Sequence, residues 1–214
     1  MKRLLFLSLS IGLLFGLLQV IVLADGMILP DHPERGWLTV TYHHVSVSVE
    51  DGVVITRVDQ EFRNDTSHPI EGRYVFPLPH GAVVSDFSMW VDGERLEGKV
   101  LGADEARTIY EDYVRRVLDP ALLEYVDRDT LAARIFPIPV GGTRRIELSY
   151  TEVLQAESGI YRYLYPLDTE RFSASPLEDV RIDINLKTSS ALQAVYSPTH
   201  KIAVSKETGK QASV

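Results

Sequence analysis

One phrase occurs twice in this chain and limits how any sheet can run through it: Arg-Tyr-Val-Phe-Pro-Leu-Pro at residues 73–79 and Arg-Ile-Phe-Pro-Ile-Pro at residues 134–139. Each copy follows a strand-like stretch, and glycine comes after each, Gly81 behind the first and Gly141-Gly142 behind the second. Proline has no amide hydrogen and a fixed φ, so neither Pro-x-Pro can sit in a central ladder and the chain must leave its sheet at both points. The two phrases read as strand exits packed by Phe76 and Phe136. A proline-rich ligand segment is the other reading, but such ligands are longer and sit in disordered surroundings.

The first residues speak to compartment. Lys2 and Arg3 precede an uncharged stretch over residues 4–24, and Ala24 stands just before Asp25, where a signal peptidase would cut. Residues 1–24 are expected to be a signal peptide, or a signal anchor if uncleaved, because the apolar stretch is long enough to span a bilayer. Localisation is then exported: periplasmic, cell-surface or extracellular. There is no cysteine, so an exported chain of this kind must be held by its core rather than by disulfides, and zinc-thiolate sites and cysteine nucleophiles are excluded. Losing Lys2 and Arg3 with the leader would take the formal net charge from −8 to about −10, which argues against nucleic acid and against anionic lipid as partners.

Most of the chain reads as strand. Leu38, Val40 and Tyr42 alternate, then Val45, Val47 and Val49 alternate in the opposite phase, so a β-bulge is expected at His43-His44. Two adjacent histidines could instead be metal ligands, but strand neighbours point to opposite faces and no supporting ligand is suitably spaced. Glu50-Asp51-Gly52 is a turn, after which Val54, Thr56, Val58, Gln60 and Phe62 face one way and Arg57, Asp59, Glu61 and Arg63 the other. Asn64-Asp65-Thr66 ends that strand and spells a glycosylation acceptor. A strand over residues 83–91 turns at Asp92-Gly93 into a return strand over residues 95–101.

The period then changes. Ala106, Ile109, Tyr110, Tyr113, Val114 and Val117 recur at spacings of three and four, the stripe of an amphipathic helix over about residues 104–118, which Asp119-Pro120 stops. Further strands are expected over residues 122–126, 131–136 and 143–154, then around Tyr161, Tyr163 and Tyr165, over Val180 to Leu186 in alternation, and over residues 191–204 with a break at Ser197-Pro198. No stabilising element is expected after Gly209, which suggests a fragment of a longer product.

Over residues 39–154 these elements resemble the VIT domain, the vault protein inter-alpha-trypsin domain. The match is carried by Asn64 after a strand, the 74–79 phrase, Ala-Arg-Thr-Ile-Tyr-Glu-Asp-Tyr at 106–113, Leu122-Leu123-Glu124, the 136–139 phrase, and Arg-Ile-Glu-Leu-Ser-Tyr at 145–150. The resemblance implies a mainly β chain: an antiparallel β-sandwich-like domain with one amphipathic α-helix, followed by a small β segment. The expected division is a linker over 25–35, the VIT-like domain over 36–154 and a β-rich segment over 155–214. It also implies a von Willebrand factor A domain as neighbour or partner. That domain holds a cation through an Asp-x-Ser-x-Ser loop, which this chain lacks; Asp86-Phe87-Ser88 supplies two members, on a strand.

No nucleophile elbow, zinc-protease helix, phosphate-binding loop or dinucleotide fingerprint is present. Glu124 reads as a charge at a strand end or a partner for Arg134 or Arg145. No catalytic residue, metal or cofactor is assigned, although His43, His44 and Asp86 are the first positions to suspect if a cation were bound. Three functions remain: a non-enzymatic exported contact or scaffold module supporting adhesion or assembly, an exported hydrolase whose catalytic domain lies beyond residue 214, and a structural module packing on its neighbour through a bare apolar patch.

Overall fold

The computed structural model describes residues 26–91, 93–97, 130–165, 167 and 176–214. Among the described residues, two sheets face each other. The smaller has three strands in the order β1, β4, β7, with β1 at Met27–Pro30, β4 at Ile70–Pro77 and β7 at Thr130–Ile138. The larger has eight in the order β10, β11, β9, β2, β3, β8, β5, β6. Its members are β2 (Thr39–Glu50), β3 (Val53–Arg63), β5 (Val83–Val91), β6 (Glu94–Glu97), β8 (Thr143–Val153), β9 (Asp179–Lys187), β10 (Ser205–Thr208) and β11 (Gln211–Ser213). All pairings are antiparallel except β2 with β9, which run parallel from Tyr42↔Asp179 to Glu50↔Lys187.

The alternation on β3 is the backbone of the core. Val54, Thr56, Val58, Gln60 and Phe62 are all buried on its inner face, because a period of two sends every second side chain to one side. Val58 and Phe62 join Phe87, Met89, Ile146, Leu148 and Tyr150 from the large sheet against Ile28, Tyr74, Phe76, Leu131, Ala133, Ile135 and Ile138 from the small one. Tyr74 stands at the centre, with ring centroids 5.7 Å from Phe87, 6.1 Å from Phe62 and 6.4 Å from Phe76. Such offset and edge-on aromatic contacts add to the area they bury. A second cluster, Val45, Val47, Val49 and Val54, lies further along β2 and β3 and is covered by Tyr163, Tyr165, Ile184 and Leu186. The chain is thus mainly β with a sandwich core.

The turns behave as their residues dictate. Asp51 and Gly52 both take positive φ, 47° and 87°, the twist a two-residue hairpin needs. Both Pro-x-Pro phrases end their strands, β4 at Pro77 and β7 at Ile138.

Several expectations need correction. Phe76 is buried, but Phe136 is 56% exposed. Between Gly72↔Ile135 and Ile70↔Ile138 the register slips, so β7 carries one extra residue at Phe136-Pro137, and Ile138 fills the core in place of Phe136. The bulge on β2 falls at Thr41, between Val40↔Phe62 and Tyr42↔Glu61, two residues before the histidine pair. Residues 161–165 run across the sheet without ladder pairing, anchored by side chains, and residues 191–204 form no strand. The return strand β6 begins at Glu94 and is described as far as Glu97; residues 98–101 of the expected strand lie outside the described residues. After Gly209 there is a stabilising element: β11 pairs with β9, and Val214 exchanges two backbone hydrogen bonds with Ile184. The expected helix at 104–118, the strand at 122–126 and Glu124 lie outside the described residues.

Candidate functional site

A strand separates its neighbours, and the histidine pair obeys. His43 is buried on the inner face of the large sheet, where Gln60 Nε2 lies 2.7 Å from its Nδ1 and the Tyr165 hydroxyl 2.7 Å from its Nε2. Burial, reinforced by His44, pushes its pKa down to about 4, because an ion there would lose its hydration. His44 points outward, stacks on Tyr42 with centroids 4.8 Å apart, and pairs with Asp179 at 2.7 Å. Asp86 is also on the outer face, 2.5 Å from Arg95. The three positions suspected for a cation are therefore not brought together, and no cluster of three metal-capable side chains occurs among the described residues.

Asn64 ends β3 as expected, but its side chain is consumed. Its Nδ2 donates to the carbonyls of His68 (2.8 Å) and Ile138 (2.9 Å), while its Oδ1 accepts from the Thr66 amide (3.0 Å) and hydroxyl (2.7 Å). The residue is fully buried. In the folded chain this amide clamps the loop after β3 to the end of β7 and is closed to glycosylation.

The outer face of the large sheet collects what sequence reasoning missed. Arg145 on β8 forks onto Asp59 of β3 through Nε (2.9 Å) and Nη2 (2.8 Å), and Nη2 also reaches Glu147 at 2.7 Å. Its guanidinium lies 5.0 Å over the Trp90 ring, whose Nε1 donates to Glu147 at 3.0 Å. The Tyr42 hydroxyl donates to Asp59 at 3.1 Å; burial first, then the Asp59 charge, raises the pKa of that phenol. Hydrogen bonding to Asp59, opposed by partial burial, holds Arg145 above the ordinary range. A planar, weakly hydrated guanidinium suits this bidentate and stacked position. A cleft of about 330 Å³ opens at the rim between Glu61, Trp90, Arg144, Arg145 and the turn at Pro139 and Gly142.

Toward the opposite end the same face turns apolar. Val53 lies across from Val153, and Ile55 and Val83 both lie across from Thr151. Val83 and Val153 are 66% and 65% exposed, and Val53 and Ile55 are also open to solvent. The surface therefore runs from an ion-paired aromatic row to an aliphatic corner. Its charged signal was visible on β3, but the Asp59–Arg145–Glu147 triad requires the β3–β8 register.

Residues 40–150 match the vault protein inter-alpha-trypsin (VIT) domain family, over half of the chain. This chain belongs to the VIT domain family. The matched region opens in β2, one residue past its first, and closes on β8, so it takes in strands of both sheets, while β1 of the small sheet and β9, β10 and β11 of the large one lie outside it. Among curated relatives, von Willebrand factor A domain-containing protein 5A of Rattus norvegicus is 29% identical over 57% of this chain and 15% of its own length. Protein mono-ADP-ribosyltransferase PARP4 of Mus musculus is 26% identical over 58% of this chain and 6% of its own length. The VIT chain thus spans less than a sixth of either. A solved structure from Legionella pneumophila aligns with a TM-score of 0.55 at 14% identity, covering 89% of this chain and 66% of that one, which supports the fold alone.

Proposed function

We propose that this VIT chain is the non-enzymatic contact module of a larger exported VIT and von Willebrand A type surface protein, where it supports adhesion or protein assembly. The observation that carries the reading is the outer face of the large sheet as the described residues form it. Asp59, Arg145 and Glu147 are engaged with one another, while Val53, Ile55, Val83 and Val153 stay exposed side by side. A contiguous aliphatic corner beside a polar row is the composition of a protein contact, not of a catalytic pocket. The von Willebrand A domain named in the relatives supplies the partner class.

Calorimetric titration of the VIT chain with a von Willebrand A domain from the same reading frame tests it. Val83→Glu combined with Val153→Glu, both on solvent-facing positions, is expected to weaken binding at least tenfold while leaving thermal stability nearly unchanged. Unaltered affinity would remove the outer face from the interface. Export is part of the same proposal. Mass spectrometry of the mature amino terminus distinguishes a chain cut after Ala24 from one that keeps residues 4–24 as an anchor, and an intact Met1 on a soluble cytoplasmic protein would overturn both. Among the described residues no helix is long and apolar enough to cross a membrane.

A further inference from the structure

The inner face of the large sheet holds a line of buried polar groups that the contact function does not use. The Tyr74 hydroxyl donates to Gln60 Oε1 at 2.7 Å. Gln60 Nε2 donates to the Gly26 carbonyl at 3.0 Å and to His43 Nδ1 at 2.7 Å. His43 Nε2 then faces the Tyr165 hydroxyl at 2.7 Å. Gln60 is fully buried, and its amide has two hydrogens and one oxygen, all engaged. The Gly26 carbonyl can only accept, which settles the orientation of the amide and makes His43 Nδ1 an acceptor. The single proton of the neutral imidazole is therefore on Nε2, donated to Tyr165.

We propose that this chain of groups is an acid-sensitive latch: proton uptake by His43 lifts residues 161–165 off the second core cluster and bares the valines beneath. A proton arriving at Nδ1 would confront the Gln60 NH₂, donor against donor. Turning the amide over does not help, since Oε1 would then face the Gly26 carbonyl oxygen. The charged ring has no stable place beside Gln60 and must turn toward water. Tyr165 stands in that direction, its ring edge-on to His43 at 5.8 Å.

The segment over His43 is suited to move. Residues 161–165 contribute no ladder hydrogen bonds to the sheet, and their polar anchors include Tyr163 on Thr56 at 3.0 Å and Tyr165 on His43. Beneath them lie Val45, Val47, Val49 and Val54. The described groups that face His43 are Gln60 from β3, Tyr165 from this segment, Val180 at the paired position on β9, Tyr74 of β4 through Gln60, and His44 from the other side of the sheet with its Asp179. Burial keeps the ring neutral down to about pH 4, so the latch is shut near neutrality. Once the segment is lifted, the valines become continuous with Val180 and Ile182, which are already open.

The chain has no cysteine, so Val47→Cys places a single thiol under the segment. Its reaction with dithiodipyridine, corrected by a small-thiol control, reads accessibility directly. Accessibility is expected to rise roughly tenfold per unit as pH falls through the window between a free and a buried histidine, with the far-UV strand signal unchanged. Adding His43→Gln, which can donate to Tyr165 and accept from Gln60 without titrating, should flatten that profile. If His43→Gln does not fold, NMR titration of the His43 ring in the Val47→Cys chain must show the same midpoint as the labelling. Equal protection at pH 7 and pH 4.5, a rise that persists with His43→Gln, or labelling that tracks loss of the strand signal would each overturn the proposal.

Discussion

Replacing Asn64 with aspartate changes one NH₂ group to an oxygen and almost nothing else in shape. The new oxygen would face the carbonyls of His68 and Ile138, which now accept at 2.8 and 2.9 Å, while the bonds from Thr66 to the other oxygen survive. Each buried carbonyl stripped of its donor costs about 1–3 kcal/mol. A carboxylate in a fully buried position adds desolvation, relieved only if it takes up a proton and donates to one of the two carbonyls. The sum is about 4 kcal/mol, and in a chain of this length that lowers Tm by roughly 10 °C. Urea denaturation at pH 7, read as a shift in midpoint at constant slope, gives the number. Thr66→Val, which removes one donor to Asn64 Oδ1 and leaves both carbonyls satisfied, should cost about 1 kcal/mol. An Asn64→Asp chain within 1 kcal/mol of the parent, or a Thr66→Val chain as unstable as Asn64→Asp, would show that the clamp is not what holds this corner.

Acid should weaken the fold through His43. Its folded pKa of about 4 lies below the ordinary histidine value of 6.5, so the unfolded chain binds the proton first; stability is full above pH 6.5 and falls by about 3 kcal/mol as pH drops to 4, a slope that His43→Gln should remove from urea midpoints measured at pH 7 and 4.5. Gly72→Ala would drive a Cβ into the Leu29 carbonyl and should separate β1 from β4 at a cost of several kcal/mol, whereas Gly81→Ala, with φ of 77° and open space around it, should cost about 1 kcal/mol; similar thermal shifts for the two would refute the close approach. Arg145→Met keeps the stem over Trp90 but leaves Asp59 and Glu147 without their cation, and because these groups are about a third exposed the loss should stay near 1 kcal/mol and shrink in high salt.

The strands were legible wherever a period of two met a wet face. On β3 the inner and outer sets separate without a fault, and the Asp-Gly turn before it follows from its residues. Residues of mixed character were harder to read. Thr41 is small and half-polar, so the phase change between Val40 and Val45 could be placed two residues late. Phe136 looked like a core anchor because its phrase copies that of Phe76, yet the extra residue beside Pro137 rotates it outward, and that depends on pairing with β4. Apolar spacing over residues 191–204 suggested a strand, but nothing in the spacing says whether a partner edge is free. Gln60 was placed on the correct face, while its role depends on Tyr74, His43 and Tyr165, which only the fold brings together. The triad of Arg145 needed the same long-range information.

The parallel pairing of β2 with β9 has a mechanical consequence. Nine residue pairs align from Tyr42↔Asp179 to Glu50↔Lys187. In a parallel pair, tension applied ahead of one strand and behind the other pulls them past each other lengthwise, loading the hydrogen bonds together rather than one at a time. If the chain is stretched between its two ends, the short β1 at one end and the short β10 and β11 at the other give way first, and the load then falls on this shear ladder. Resistance to such a pull depends on the rate of unfolding, not on equilibrium stability. A module joined to others in series would hold through small extensions and then yield in one step. Force–extension curves should show that step, and Val47→Pro, which removes a ladder donor from β2, should erase it.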